Sequence, residues 1–297
     1  MAKARLDLLL VERGLAESRA KAQALVMAGQ VRVDGQVALK PATAVLADST
    51  LTVDPGPRFV SRGGEKLDAA LEAFGLAVDG LTCADVGAST GGFTDCLLQR
   101  GAVRVYAIDV GRGILHWKLR NDPRVIVMEE TNARYVESLP ERVDLVTIDA
   151  SFISLKVLLP VVKAWLPPSP WGRGAGGESQ LPSPWGRVAG GESQLPSPCG
   201  RGAGGEGCVV ALIKPQFEAG RKDVSRGQGV IRSPQVHRQV LLEVLAFAAQ
   251  QGFGVRGLIR SPIQGPKGNL EFLAWLGQTA EPCALEDCIE QVISTAG

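Results

Sequence analysis

The sequence has no apolar run near the length of about 20 residues that a membrane-spanning helix needs. The amino-terminal apolar stretch at 8–11 is short and ends in charged residues, which is unlike a secretory signal or a transit peptide. From these absences we expect a cytoplasmic protein without a membrane partner.

Histidine and paired cysteines are also scarce. The chain has two histidines and six cysteines, and no two cysteines form a CxxC pair. We therefore expect no metal site and no disulfide framework, with the cysteines in the core. The formal net charge is +1, so a nucleic-acid surface would have to arise from local clusters of lysine and arginine.

One stretch is of low complexity. SPWGRGAGGESQLP at 169–182 recurs as SPWGRVAGGESQLP at 183–196 and in part as SPCGRGAGGEG at 197–207. Glycine, proline and serine in this density cannot bury a core, which predicts a disordered insertion over 168–207. Two tryptophans alternate with arginines there, so RNA binding by stacking and charge is the functional alternative.

The first fifty residues predict a small separate domain. A helical apolar stripe begins at Asp7 and stops at Gly14, Ser18 is placed to cap a second helix that stops at Gly29, and the strand VRV leads into an Asp-Gly turn. Proline and glycine at 55–57 interrupt both helices and strands. We therefore predict a first domain over 1–54, a linker over 55–65 and a second domain over 66–297.

Strand-like and helix-like segments alternate through the second domain, which favours a doubly wound parallel sheet. Helical stretches at 92–101, 154–166 and 234–252 lie between the expected strands. The expected strands are 81–87, 103–110, 125–129, 143–150, 208–215 and 254–261.

The loop DVGASTGGFTD at 85–95 follows the first of these strands and begins a helix, a position typical of ligand sites. A dinucleotide fingerprint would need glycine where Ser89 stands, and no G-K-[ST] follows for a phosphate loop. The acid Asp85 suits a cationic ligand such as S-adenosylmethionine, and Asp109 after the next strand suits ribose hydroxyls. An ordinary glycine turn with an exposed aspartate is the alternative.

Together the strings RLDLLLVERGLAESRAKAQALVMAGQVRVDG, FVSRGGEKL, DVGASTGGFTD, DLVTIDASFISL and ALIKPQFEAGR resemble the TlyA group of S4-domain RNA ribose methyltransferases, some of which carry haemolysin names. The resemblance covers nearly the whole chain, and the repeat is its main departure. It implies an α/β fold in which a Rossmann-like, FtsJ-like methyltransferase domain follows a small S4 RNA-binding domain. It also implies S-adenosylmethionine as donor and 2'-O-methylation of cytidine in ribosomal RNA, with ribosomal subunits as partners.

The resemblance assigns site residues as well. The FtsJ-like lysine, aspartate, lysine and glutamate correspond to Lys66, Asp149, Lys214 and Glu271. A ribose hydroxyl needs a base and a fixed approach, and a normally protonated lysine serves as base only if burial or a second cation favours its neutral form, so we expect Lys214 as base near Lys66. For each residue taken alone there is an alternative: a strand-end cap for Asp149, solvated side chains for Lys66 and Lys214, and an edge-strand charge for Glu271. The expected donor-binding residues are Asp85, Gly87, Ser89, Gly91, Gly92, Phe93, Asp109, Glu130 and Asn132.

In the first domain the resemblance implies a basic helix face that meets RNA phosphates. Phosphate contacts position RNA without reading its sequence. Acidic residues lie among the cations, so a merely charged helix face is the competing interpretation. The expected RNA-binding residues are Arg5, Arg19, Lys21 and Arg32.

Two functions of other classes remain open at this point. A membrane-damaging haemolysin is suggested only by names within the family, and the sequence offers no export signal or basic amphipathic segment for it. A ribosome assembly factor that binds RNA without transferring a methyl group is the other, and the presence of Lys66, Asp149, Lys214 and Glu271 argues against it.

Overall fold

The computed structural model describes residues 3–54, 56–168, 206–220, 227–265, 267–278 and 285–294. The chain divides into two compact units, Met1–Arg58 and Phe59–Gly297. Residues 59–65, which the sequence suggested as linker, thus belong to the second unit, because Phe59 is buried and a helix begins at Gly63. The predicted disorder over 168–207 falls mostly on 169–205, which lie outside the described residues, whereas Glu206 near its end is buried and pairs with Arg256 at 2.9 Å.

The first unit has the two predicted helices followed by short strands, and strand β1, which was not predicted, precedes them and pairs with β4. Ser18 caps the second helix by accepting a hydrogen bond from the backbone N–H of Lys21, and Gly14 and Gly29 end the helices with positive φ. Its core contains Leu6, Leu10 and other apolar residues. The elements are β1 Lys3–Arg5, α1 Leu6–Glu12, α2 Arg19–Met27, β2 Val31–Val33, β3 Gln36–Val37, β4 Ala44–Leu46 and β5 Leu51–Val53.

The second unit is built on a seven-stranded sheet in the order β11-β12-β10-β9-β6-β7-β8. All six predicted strands are present, and the sheet is parallel from β10 to β8. The strands are β6 Thr82–Val86, β7 Arg104–Ile108, β8 Val125–Met128, β9 Leu145–Ile148, β10 Cys208–Ile213, β11 Gly254–Arg260 and β12 Phe272–Gly277.

The expectation of a wholly parallel sheet is wrong at β12. This strand runs antiparallel to both β10 and β11. The loop from β11 to β12 is too short for a helical crossover, so the chain turns back beside its own strand. The amino end of β12 therefore lies at the same sheet edge as the carboxyl ends of the parallel strands, and Glu271 precedes it.

Helices cover both faces of the sheet, and each face has its own apolar core. The helices predicted at 92–101, 154–166 and 234–252 are all present, somewhat shorter than expected. The helices are α3 Gly63–Ala73, α4 Gly92–Gln99, α5 Trp117–Arg120, α6 Leu155–Lys163, α7 Pro215–Glu218, α8 Pro234–Gln250 and α9 Leu285–Ser294, with a 3-10 turn at Ala133–Tyr135.

The cysteines fit the prediction in part. Cys83 and Cys96 are thiols buried in the core. Cys208 at the start of β10 is disulfide-bonded, contrary to the expectation. No helix within the described ranges is long and apolar enough to cross a membrane.

Candidate active site

The glycine-rich loop connects β6 to α4 at the carboxyl edge of the sheet. The backbone amides of Gly87 and Ala88 both donate to the carbonyl of Ile108, at 2.9 and 3.1 Å, which joins the loop to the end of β7. Ser89 has φ +51° and Gly91 has φ +96°. The chain thus turns sharply at the point where α4 begins, and the loop is open toward the sheet edge.

Two glycines of this loop are required by close packing. A Cβ on Gly87 would lie 2.7 Å from the carbonyl oxygen of Asp149, and the φ of +84° adds strain for any side chain. A Cβ on Gly92 would collide with the hydroxyl of Ser61. The loop therefore lies directly against the end of β9 and the start of α3, and both surfaces border the cavities described below.

Asp85 lies beneath the loop rather than in it. Its carboxylate is fully buried and accepts hydrogen bonds from the hydroxyls of Thr94, at 2.7 Å, and Thr147, at 3.1 Å. Burial raises the pKa of Asp85 to about 7, and the nearby Asp149 adds to this, while the two hydroxyls oppose it. The structure thus places Asp85 where it fastens β6 to α4 and β9, away from the lining of both cavities.

Asp109 follows β7 and is partly exposed beside the loop. One carboxylate oxygen accepts from the backbone N–H of Ser89 at 2.8 Å, and the other from that of Gly111 at 2.7 Å. A carboxylate has about four acceptor positions, so roughly two remain for a ligand. Asp109 is therefore held rigidly while it keeps the capacity to accept hydroxyl groups.

The acid that orders the next loop is Glu129, which the sequence analysis did not single out. It accepts hydrogen bonds from the backbone N–H groups of Gly113, Ile114 and Leu115 and from the Arg120 guanidinium. The amide of Gly113, with Arg120, lowers the pKa of Glu129 to about 2. Glu130, the predicted donor contact, is exposed and lies 3.8 Å from Arg112, outside both cavity linings, so that assignment stays a prediction.

A first cavity of about 280 Å³, here called the strand cavity, opens at the ends of β6, β7 and β9. It brings together the predicted donor residues Gly87, Ser89, Asp109 and Asn132. Apolar walls with a few polar groups are typical of a small-molecule site. Its lining is Val86, Gly87, Ser89, Ile108, Asp109, Val110, Thr131, Asn132, Ala133, Asp149, Ala150, Ser151, Phe152, Ile153 and Leu158.

A second cavity of about 370 Å³, here called the lysine cavity, lies on the other side of Gly87 and Ser89. It shares Gly87 and Ser89 with the strand cavity, adds the predicted donor residues Gly92 and Phe93, and contains three of the predicted catalytic residues. Gly91 lines neither cavity. The lining of the lysine cavity is Ser61, Arg62, Gly63, Lys66, Gly87, Ala88, Ser89, Thr90, Gly92, Phe93, Asp149, Ser151 and Lys214.

The four predicted catalytic residues form two ion pairs. Lys66 donates to a carboxylate oxygen of Glu271 at 2.5 Å, and both side chains are buried. The Nζ of Lys214 lies 2.6 Å from Oδ1 of Asp149 and donates to the Ser151 hydroxyl at 2.9 Å. Lys66, Asp149 and Lys214 line the cavity directly, whereas Glu271 supports Lys66 from behind.

Asp149 retains acceptor capacity at this point. Its Oδ1 is buried and forms the ion pair with the Lys214 ammonium at 2.6 Å. A carboxylate has about four acceptor positions, so Asp149 can still accept a hydrogen bond from a ligand. Because Asp149 borders both cavities, such a ligand would lie between them.

The loop after Asp149 forms the wall shared by the two cavities, and we call residues 150–154 the wall loop. Phe152 in this loop has φ +64°, and its side chain is 91% exposed. A left-handed conformation of an aromatic residue costs about 1–3 kcal/mol. The Phe152 ring packs against the ring of Phe217 at a centroid distance of 5.0 Å, but its high exposure means that contacts elsewhere must help to hold the loop.

Two of the three predicted RNA-binding arginines of the first unit converge on one carboxylate. Asp7 is fully buried and accepts from Arg5 at 2.9 and 3.0 Å, from Arg19 at 3.0 Å and from Gln23 at 2.9 Å. The bonds from Arg5 and Gln23 hold the pKa of Asp7 well below its usual range. The two arginine side chains are still 44% and 54% exposed, and the other predicted cations, Lys21 and Arg32, are exposed.

The fold and the site together show which class of enzyme domain the second unit belongs to. A mostly parallel seven-stranded sheet, a glycine loop after β6 and a carboxylate after β7 make the second unit a Rossmann-like methyltransferase domain of the S-adenosylmethionine-dependent kind. A family model described as FtsJ-like methyltransferase matches residues 59–278, and an S4 domain model matches residues 4–51. The chain belongs to the TlyA family of S4-domain, FtsJ-like RNA methyltransferases.

Several relatives support this assignment. The chain is 43% identical to the 16S/23S rRNA (cytidine-2'-O)-methyltransferase TlyA of Mycobacterium tuberculosis, with 98% of each chain covered. It is 37% identical to Hemolysin A of Brachyspira hyodysenteriae, covering 91% of this chain and 98% of the relative. A solved structure of a hemolysin candidate from Streptococcus thermophilus is 40% identical and matches with a TM-score of 0.65 over 100% of this chain and 96% of that one.

Proposed function

We propose that this protein transfers a methyl group from S-adenosylmethionine to the 2'-hydroxyl of a cytidine ribose in ribosomal RNA, acting on ribosomal subunits in the cytoplasm. The observation that carries the proposal is the lysine cavity, in which Lys66, Asp149 and Lys214 share one space with the glycine loop. The naming of relatives as rRNA (cytidine-2'-O)-methyltransferases supports the choice of nucleotide.

The strand cavity suits the donor. Gly87 leaves room for the donor to approach the backbone closely, because a Cβ at this position would fill the gap against Asp149. The free acceptor positions of Asp109 would take the donor's ribose hydroxyls, and Asn132 would face the adenine side. When bound, S-adenosylmethionine supplies an electrophilic methyl carbon on a positively charged sulfur, a charge that the nearby Asp149 carboxylate favours.

The acceptor ribose then belongs in the lysine cavity. Lys214 would accept the proton of the 2'-hydroxyl as that oxygen attacks the donor's methyl group, and the donor's sulfur would leave as a neutral thioether. Asp149 and Ser151 fix the Nζ of Lys214, and Glu271 fixes Lys66 as the second cation beside the reacting oxygen. Holding the reactants in line is the larger contribution, since positioning alone is worth up to about 7–11 kcal/mol in favourable cases.

The first unit would position the RNA. Asp7 fixes Arg5 and Arg19 while leaving about half of each side chain exposed, an arrangement that suits two neighbouring phosphates. We propose that Lys21 and Arg32, which are also exposed, contact RNA phosphates as well. Contacts of this kind bind RNA without reading its sequence, so the choice of nucleotide would depend on the second unit.

The proposal is tested by methylating each ribosomal subunit with purified protein and methyl-labelled donor, and then mapping the modified nucleotide. We expect label on the 2'-oxygen of a cytidine, abolished in Asp149→Asn and retained in the matched variant Asp122→Asn, whose carboxylate pairs with Arg124 outside both cavities. Label on a base, or no label on either subunit, would contradict it.

A further inference from the structure

We infer that Glu218 is a positioning residue for methyl transfer, because it fastens the wall loop that separates the donor and acceptor cavities. The inference rests on the proposed function for its catalytic consequence. Glu218 lines neither cavity, so it acts through the wall loop and not by contact with the reactants.

The wall loop determines the shape of both cavities. Ala150, Phe152 and Ile153 line the strand cavity, and Ser151 lines both. The loop includes the left-handed Phe152, whose ring is almost wholly exposed and therefore contributes little burial to hold this conformation. A strained and poorly buried loop persists only when neighbouring groups fix it.

Glu218 supplies that fixation at the far end of the loop. One carboxylate oxygen accepts from the Ser154 hydroxyl at 2.6 Å, and the other accepts from the backbone N–H of Leu155 at 2.7 Å. Leu155 is the first residue of α6, so the carboxylate lies at a helix amino terminus, where free amides and the helix dipole favour an anion. Ser154 in turn accepts from the backbone N–H of Lys156 at 3.1 Å.

The same short segment also carries the proposed base. Glu218 is the last residue of α7, which begins immediately after Lys214. Lys214 contacts Ser151 near the start of the loop, Phe217 packs on Phe152 in its middle, and Glu218 binds Ser154 and Leu155 at its end. The segment 214–218 thus fixes the wall loop along its whole length, and loss of the Glu218 carboxylate frees one end.

Removing the carboxylate should let the wall loop relax and carry Asp149 and Ser151 away from Lys214. We expect Glu218→Ala to lower the single-turnover rate of methyl transfer by about tenfold or more at saturating donor and RNA, since small misplacements of reacting groups are costly. Glu218→Gln, which keeps an acceptor for Leu155, should recover much of the rate. Glu218→Asp, which is too short to reach both partners, should not.

The matched control is Glu243→Ala. Glu243 lies on α8 and binds Lys156 at 3.0 Å. Lys156 follows Leu155 on α6, but this ion pair is exposed to solvent. Solvent-exposed ion pairs contribute little to the stability of the fold, so the methylation rate of this variant should stay within about twofold of the parent rate. Equal losses in the two alanine variants would mean that α6 is merely destabilised, and would overturn the inference.

Hydrogen exchange provides a readout that does not depend on activity. Amides of residues 150–156 should exchange faster in Glu218→Ala than in the parent, and Glu243→Ala should match the parent. Unchanged exchange over 150–156 in Glu218→Ala, or a parent-like methylation rate, would refute the positioning role. If the parent itself methylates no ribose, the proposed function fails, while the exchange comparison still decides whether Glu218 holds the wall loop.

Discussion

Asp109 and Asp85 end neighbouring strands, yet their carboxylates have different surroundings. Asp109 is partly exposed and is fixed by two backbone amides. Asp85 is fully buried and bonded to two threonine hydroxyls. The spacing in the sequence indicated that both carboxylates bind the ligand. Spacing does not show, however, whether a carboxylate is buried under a helix or exposed at the edge of the sheet. That distinction depends on which helix packs against the strand.

Asp109→Ala should weaken binding of S-adenosylmethionine by about tenfold or more, because it removes the hydroxyl acceptor and frees the amides of Ser89 and Gly111. Titration calorimetry without RNA measures this directly. Asp122→Ala, which removes a carboxylate bonded to Arg124, is the control and should leave affinity unchanged. Parent-like affinity in Asp109→Ala would place the ribose contact elsewhere.

Asp85 should make stability depend on pH. Its folded pKa of about 7 exceeds the usual value, so the folded protein holds a proton between about pH 4 and 7 that the unfolded chain has released. The free energy of unfolding contributed by this group therefore falls as pH rises through that window and is level above it. Asp85→Asn, which does not titrate, should lack this decline.

Denaturant unfolding of parent and Asp85→Asn at several pH values tests the shift. The stability of the variant relative to the parent should rise between pH 5 and pH 8, by up to about 3 kcal/mol if the full shift applies. A constant difference between the two proteins across this range would show that Asp85 has an ordinary pKa despite its burial.

At the scale of elements, the glycine loop and the strands around it determine where the site forms. The six strands predicted from apolar runs are present, because a buried parallel strand is apolar along its whole length. Strand β12, FLAWLG, has the same character but was not predicted, since it follows β11 without a helix between them. Helix α3 was missed as well, because two glycines begin it.

The local sequence pattern does not show that the four predicted catalytic residues come together. Lys66 and Glu271 lie 205 positions apart, and they meet because β12 runs antiparallel and brings its amino end to the reactive edge. The resemblance to a family, and not spacing, identified them. Nothing in the sequence distinguishes Glu218 or Glu129 from surface glutamates, because their roles consist of hydrogen bonds to distant backbone amides.

Gly87→Ala should disturb the site far more than a glycine substitution that introduces backbone strain alone. The new Cβ would lie 2.7 Å from Asp149 O, so we expect donor affinity to fall by about tenfold or more. Gly80→Ala is the control, with φ +75° and open space around the added carbon, and should cost about 1 kcal/mol of stability without loss of affinity. Equal donor affinities in the two variants would remove Gly87 from the site.

The molecule as a whole consists of two compact units with separate cores. The S4 unit contains its own core and a buried Asp7 that organises Arg5 and Arg19. The second unit contains both cavities. The resemblance predicted this division, and the family models match the two units separately.

Deleting residues 1–54 should leave donor affinity within about twofold of the parent and lower methylation of intact ribosomal subunits by about a hundredfold, since phosphate contacts supply most of the RNA affinity. Calorimetry and a filter assay with labelled donor measure the two quantities. Equal turnover by the shortened protein would show that the S4 unit is dispensable for substrate positioning.

The proposed mechanism depends on Lys214, which would take the hydroxyl proton during transfer from S-adenosylmethionine to RNA. Its most direct test is the single-turnover rate of Lys214→Ala on the modified ribosomal subunit, with donor affinity measured on the same preparation and Lys156→Ala as the control lysine. We predict a loss of transfer by at least about a hundredfold, with donor affinity close to that of the parent. A rate in Lys214→Ala close to that of the parent would show that Lys214 is not the base.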